Sequence, residues 1–134
     1  MRHISHIVVH HTASTCSTVE SITHWHVTHP DGNQWPHIGY HYVIDKVGNI
    51  TNTLPIEKKG IHCRGSNSHS IGVCLIGNFD TEYVSGGQLA ALRLLLSDLK
   101  AEFPGVIVEA HRNMPMASTY CPGYNLLQLM PELR

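Results

Sequence analysis

The run Ile71-Gly72-Val73-Cys74-Leu75-Ile76-Gly77 has neither a charge nor a polar alternation. A stretch of this length and character is a central strand with both faces covered, which requires packing layers on each side of a sheet. Cys74, in its middle, behaves there as a small hydrophobe. Further strands are predicted at Ser5–His11, Gly39–Asp45, Ile50–Leu54 and Val106–Glu109. Lys46-Val47-Gly48-Asn49 joins the second and third of these as an antiparallel hairpin. Covering layers come from two helices. One follows the capping-box pattern Ser17-Thr18-Val19-Glu20 and runs over Thr18–Thr28, with Ile22, Trp25 and His29 inward, ending at the turn Pro30-Asp31-Gly32-Asn33. The other follows Ser85-Gly86-Gly87-Gln88, with Leu89, Leu92, Leu96, Leu99 and Phe103 stepping by three and four until Pro104-Gly105 stops it. Asn125 to Leu133 is predicted to dock as a last helix. The expectation is an α/β fold: one domain, residues 1–134, with a central mixed sheet of about five strands flanked by helices.

Composition narrows the function classes. A chain of 134 residues suits one domain and buries a core without disulfide staples. Charged residues make up 14% and the net charge is -1, which leaves no basic stripe for nucleic acid. No apolar run approaches the roughly 18 residues of a membrane span. Met1-Arg2-His3 leads straight into the first strand, so the chain is expected to be made in the cytoplasm without a signal peptide. A monomer is expected. The four cysteines show no CxxC spacing, which speaks against a zinc ribbon or a thioredoxin-like pair. The compositional anomaly is the twelve histidines, dispersed from His3 to His111.

Three of the polar residues sit where chemistry can be built. Ile7-Val8-Val9 runs directly into His10-His11, and because side chains alternate along a strand only one of the pair can face a given site. Parity alone does not say which. His111 ends the last predicted strand, and Cys121 stands in Thr119-Tyr120-Cys121-Pro122-Gly123, where Pro and Gly shape the turn. Two imidazoles and a thiolate suit zinc and leave a fourth position for water. A rival arrangement makes Cys121 a nucleophile with His111 as its base, but it leaves His10 idle.

The order of these features, a strand with His10-His11-Thr12, then Ile38-Gly39-Tyr40-His41-Tyr42, then Asn67-Ser68-His69-Ser70 before the apolar run, then Ala110-His111 and Cys121-Pro122-Gly123, resembles the type 2 zinc amidases. These cleave the bond between N-acetylmuramic acid and L-alanine, and they include amidase-type phage lysozymes and animal peptidoglycan recognition proteins. The resemblance covers nearly the whole chain, and the phage branch is the nearer match. It implies one Zn²⁺ held by His10, His111 and Cys121, and peptidoglycan as the partner. Tyr40 matches the family's active-site tyrosine, and Thr119 stands where the family carries Lys or Thr. Both would donate to the oxyanion. His62 and Asn67 match substrate-lining positions, and Trp35 is either a platform for a sugar or packing. His41 reads as structural, and His26, His29, His37 and His69 as surface or hydrogen-bonded residues. The resemblance also implies an endolysin that acts on the cell wall after release. The alternative is a module that binds peptidoglycan without cutting it.

Overall fold

The computed structural model describes residues 2–28 and 35–134. Its strands are β1 (His6–His11), β2 (Tyr42–Ile44), β3 (Ile50–Asn52), β4 (Ser70–Leu75) and β5 (Ile107–Ala110), and its helices α1 (Val19–Thr28), α2 (Gly86–Glu102), α3 (Tyr124–Leu127) and α4 (Met130–Leu133). The five strands form one sheet in the order β3-β2-β4-β1-β5. β4 pairs in parallel with both β1 and β2, and β1 in parallel with β5, while the β2–β3 hairpin is antiparallel. The expected mixed sheet with helical cover is present. β4 is its middle strand, and every residue of it is buried.

Alternation along the two inner strands divides the core. Ile7 and Val9 of β1, with Ile71, Val73 and Leu75 of β4, face α2 and pack on Leu92, Leu95, Leu96 and Leu99. Full burial of such side chains is worth roughly 1.5–3 kcal/mol apiece. The opposite face is thinner: Cys74 packs there with Ile22, Ile38, Val43 and Ile76, and Val8 packs with Cys63 and Met114. The packing role expected for Cys74 holds.

The capping boxes differ from the sequence pattern in instructive ways. Ser85 Oγ accepts from the Gln88 amide at 3.1 Å, as expected. The Gln88 side chain does not return to the cap, however. It is buried and donates through Nε2 to the carbonyls of Ile44 (3.1 Å) and Ile76 (3.0 Å), tying α2 to the ends of β2 and β4. At α1 the cap is one residue later than Ser17. Thr18 Oγ1 accepts from the Ser21 amide at 3.0 Å and Ser21 Oγ from the Thr18 amide at 2.8 Å, because the shorter serine reaches back while Glu20 stays in solvent.

α1 buries Ile22 and His26, whereas Trp25, expected inward, is 53% exposed. His26 takes the inner position because its Nδ1 accepts from the Gly39 amide at 2.9 Å, a bond that indole cannot replace. The expected turn at Pro30–Asn33, and His29, lie outside the described residues. The C-terminal segment is two short helices in place of one: Pro131 has no N–H for the preceding turn and is tolerated only in the first turn of α4, so the helix restarts there. Leu126, Met130 and Leu133 still dock on the core. No helix among the described residues is long and apolar enough to cross a membrane.

Candidate metal centre

The thin face of the sheet carries the site. His10 lies on the same face as Val8, and its ring is 1% exposed. β5, hydrogen-bonded to β1, ends at Ala110 and delivers His111 at the start of a short 3₁₀ turn beside it, with the two ring centroids 4.5 Å apart. Cys121 arrives on a loop fastened by two bonds: its carbonyl accepts from the Arg112 amide at 2.9 Å, and its amide donates to Thr119 Oγ1 at 3.1 Å. Gly123, with φ +87, completes the loop, since a Cβ there would lie 2.7 Å from the Phe79 carbonyl carbon.

One donor atom from each of His10, His111 and Cys121 falls within 4.8 Å of the other two. His10 Nδ1 stands 3.8 Å from Cys121 Sγ. His111 Nδ1 is buried with no hydrogen-bond partner. A buried polar atom left unpaired costs about 1–3 kcal/mol unless something else satisfies it. Two imidazoles and a thiolate around one point are a donor set that fits zinc. His11, its ring on the other face, stacks on Phe79 and accepts from the Phe79 amide at 3.2 Å, so it is structural.

Burial sets the protonation states. It holds His10 well below the ordinary imidazole range, helped by His62, His111 and His11 nearby, and it also lowers His111. Both are therefore lone-pair donors at neutral pH. Burial pushes the Cys121 thiol up to about 12, although the amide of His11 opposes this. A cation among the three donors would reverse that shift, because a coordinated thiol loses its proton. The nucleophile reading needs the opposite, a thiol made acidic by its surroundings.

Tyr40, half-buried, packs its ring 5.1 Å from that of His10. Burial, and then the nearby Cys74 and Cys121, raise its phenol well above the ordinary value, so it keeps its proton and remains a donor. Thr119 is exposed at the rim. Its oxygen braces the Cys121 amide, which leaves its proton available to a ligand.

A groove of about 470 Å³ runs from His111 past Thr119, lined also by Trp35, His62, Arg64 and Asn67. Asn67 braces one wall: its Oδ1 accepts from the amides of His62 and Cys63, both at 2.9 Å. A second groove, about 370 Å³, lies on the α1 side between Tyr40, His26, Trp25 and the serines 17 and 21. Arg64 and Ser21 were not singled out in the sequence, and Ser17 was read only as a helix cap. The polar face of α1 was the available signal for Ser21. His41 is structural, as expected: its Nδ1 accepts from the Gly72 amide at 3.0 Å, and its Nε2 lies 2.8 Å from the Lys58 carbonyl and 3.2 Å from Arg2.

The profile of the N-acetylmuramoyl-L-alanine amidase family (Amidase_2) matches residues 1–124. The chain is 33% identical over 132 residues to peptidoglycan-recognition protein SC2 of Drosophila melanogaster, covering 92% of this chain and 71% of that protein. It is 32% identical over 130 residues to the endolysin of Klebsiella phage KP32, covering 91% and 82%. Among solved structures, the endolysin amidase LysCS from Clostridium intestinale superimposes with a TM-score of 0.87 at 30% identity, covering 98% of this chain and 84% of that one. With the family profile matching residues 1–124 and the phage endolysin 32% identical over most of its length, the chain belongs to the N-acetylmuramoyl-L-alanine amidase family.

Proposed function

We propose that the chain hydrolyses the amide between N-acetylmuramic acid and L-alanine in peptidoglycan, as an endolysin, using one zinc ion held by His10, His111 and Cys121. The observation that carries the metal is the orphaned His111 Nδ1, buried beside two further donors that share no other partner for it. Zinc bound there would supply a Lewis acid and a water acidified to near neutrality. The residues do the rest. Tyr40, kept protonated, donates to the carbonyl oxygen as negative charge develops on it. Thr119 adds a second, neutral donor at the rim. His62, Asn67 and Trp35, in the wall of the larger groove, bind the stem peptide and the adjoining sugar. A pocket at the three donors shares Tyr40 with the smaller groove and Trp35, His62, His111 and Thr119 with the larger, which supports a substrate whose two sides lie in the two grooves.

A second reading, binding without cleavage, is favoured by the recognition-protein relatives. The presence of Cys121 within the cluster supports catalysis over it. Zinc content and release of stem peptide from purified peptidoglycan, measured for wild type and Cys121→Ala, separate the two. One zinc per chain, with metal and activity both lost in the variant, is expected. Bound zinc without cleavage of any peptidoglycan type would leave the binding module. New reducing ends without freed lactyl groups would make the protein a glycosidase.

A further inference from the structure

His62 touches His10 through a chain of hydrogen bonds whose direction can be read from its far end. Ser70 Oγ lies 2.7 Å from the Ser66 carbonyl, which can only accept, so the serine spends its one proton there. What Ser70 Oγ offers His62 Nε2, 3.2 Å away, is a lone pair, and His62 Nε2 must carry the hydrogen. A neutral imidazole has one N–H, so His62 Nδ1 is a bare acceptor. It lies 2.9 Å from His10 Nε2, which must then be the donor. That leaves the lone pair of His10 on Nδ1, the atom that faces Cys121 Sγ. Among the described residues no carboxylate hydrogen-bonds either ring.

The seat for His62 is built as closely as the chain itself. Its ring lies over Gly72 of β4, where a Cβ would come 2.7 Å from His62 Cγ, and against Gly60, where one would come 2.8 Å from Cδ2. Gly72 pairs with Val8, Ser70 with His6 and Cys74 with His10 in the β1–β4 register. The ring therefore fills the space above a glycine between Ser70 and Cys74, bridging two neighbouring strands. Asn67 Oδ1 holds the His62 amide from below. With both nitrogens engaged, His62 offers the groove its carbon edge.

We infer that Ser66, Ser70 and His62 form an oriented relay that fixes His10 in its Nε2–H tautomer, so that Nδ1 is the atom presented to the metal. The inference rests on the proposed metal centre. His62 is then a positioning residue. Metal-bound histidines commonly donate to a carboxylate, a carbonyl or water. Here the acceptor is a neutral imidazole, which orients His10 without adding negative charge, so Cys121 supplies the only anionic ligand.

The test uses the full chain at pH 7.5. Long-range proton–nitrogen NMR of the metal-free protein reads the tautomers, zinc affinity is read by chelator competition, and the Co²⁺ form gives a ligand-field spectrum. In the wild type, His10 and His62 should both be Nε2–H. His62→Leu should weaken zinc binding roughly 10- to 100-fold, the range for loss of such a supporting partner, and shift the Co²⁺ bands. His62→Gln, which can still accept from His10 and donate to Ser70, should recover most of the affinity. Ser70→Ala should give His62 a mixture of tautomers. An Nδ1–H on either ring of the wild type would overturn the relay, as would a folded His62→Leu protein with wild-type zinc affinity and an unchanged Co²⁺ spectrum. Failure of the metal centre has a different signature: the wild type itself would bind no zinc. The tautomers of the metal-free protein would then decide the relay alone, both Nε2–H supporting it and any Nδ1–H overturning it.

Discussion

The backbone amide of His11 donates to Cys121 Sγ at 3.3 Å. β1 therefore serves the cluster twice, with the ring of His10 as a donor and with the next amide as a hydrogen bond that favours thiolate. The side chain of His11 takes no part, since Phe79 holds it on the other face of the sheet.

Adjacent histidines should thus behave differently. His10→Ala is expected to lower zinc affinity by at least about 100-fold. His11→Ala keeps the amide and should bind stoichiometric zinc, at a cost of about 1–3 kcal/mol in stability from the unpaired Phe79 amide and the lost packing. Metal analysis and urea unfolding of both variants check this. Equal loss of zinc in the two would show that His11 is a ligand.

Tyr40→Phe removes the proposed oxyanion donor but leaves the ring that packs on His10. The turnover rate should fall roughly 10²- to 10³-fold, with zinc content and KM little changed. Initial rates of peptide release decide it, and a variant as fast as wild type would remove Tyr40 from the chemistry.

His41 makes stability depend on pH. Burial pushes its imidazole down to about 4, with Arg2 and His37 adding to the shift, although the bond to the Lys58 carbonyl opposes it. In the unfolded chain the ring titrates near 6.5. Between these values the unfolded state binds the proton and the native state does not, so stability is full above about pH 6.5 and declines as pH falls toward 4, by on the order of 3 kcal/mol in all. His41→Asn, which keeps an acceptor for the Gly72 amide, should lessen the change in urea midpoint between pH 7.5 and 5.0 and leave the part that the other buried histidines contribute. Identical pH dependence in variant and wild type would refute the assignment.

Gln88→Leu leaves the carbonyls of Ile44 and Ile76 without their donor in a dry interior. A loss of about 3 kcal/mol is expected by urea unfolding, with zinc stoichiometry intact. A neutral effect would mean that the strand ends relax to find other partners.

The parts of the fold legible in the sequence are those whose residues report their own burial. β4 shows as an unbroken apolar run because both its faces are covered, and α2 shows in leucines spaced by three and four. Ser85 as a cap is equally local. What was not legible depends on partners distant in sequence. The choice between His10 and His11 needs to know which face of β1 meets α2. Gln88 looks like half of a capping box until the strand ends it clamps are in place. His62 looks like a loop histidine, since nothing local reveals His10 above it and Gly72 beneath it. Arg2, whose guanidinium binds the carbonyls of Ile56, Asn67 and Ser70, is unreadable for the same reason.

β1 is made before β4 and β5, yet it sits between them, and His10 meets Cys121, 111 residues further along the chain. Synthesis runs in one direction, so the ribosome must deliver Cys121 before the three donors can be assembled. No growing chain that ends short of that residue holds the full set, and β1 has to wait for strands encoded far downstream. For a protein proposed to dissolve a cell wall, this ordering acts as a timer: the donor set that its lytic capacity would need is complete only once Cys121 has been made, and copies that stop short of that residue lack it.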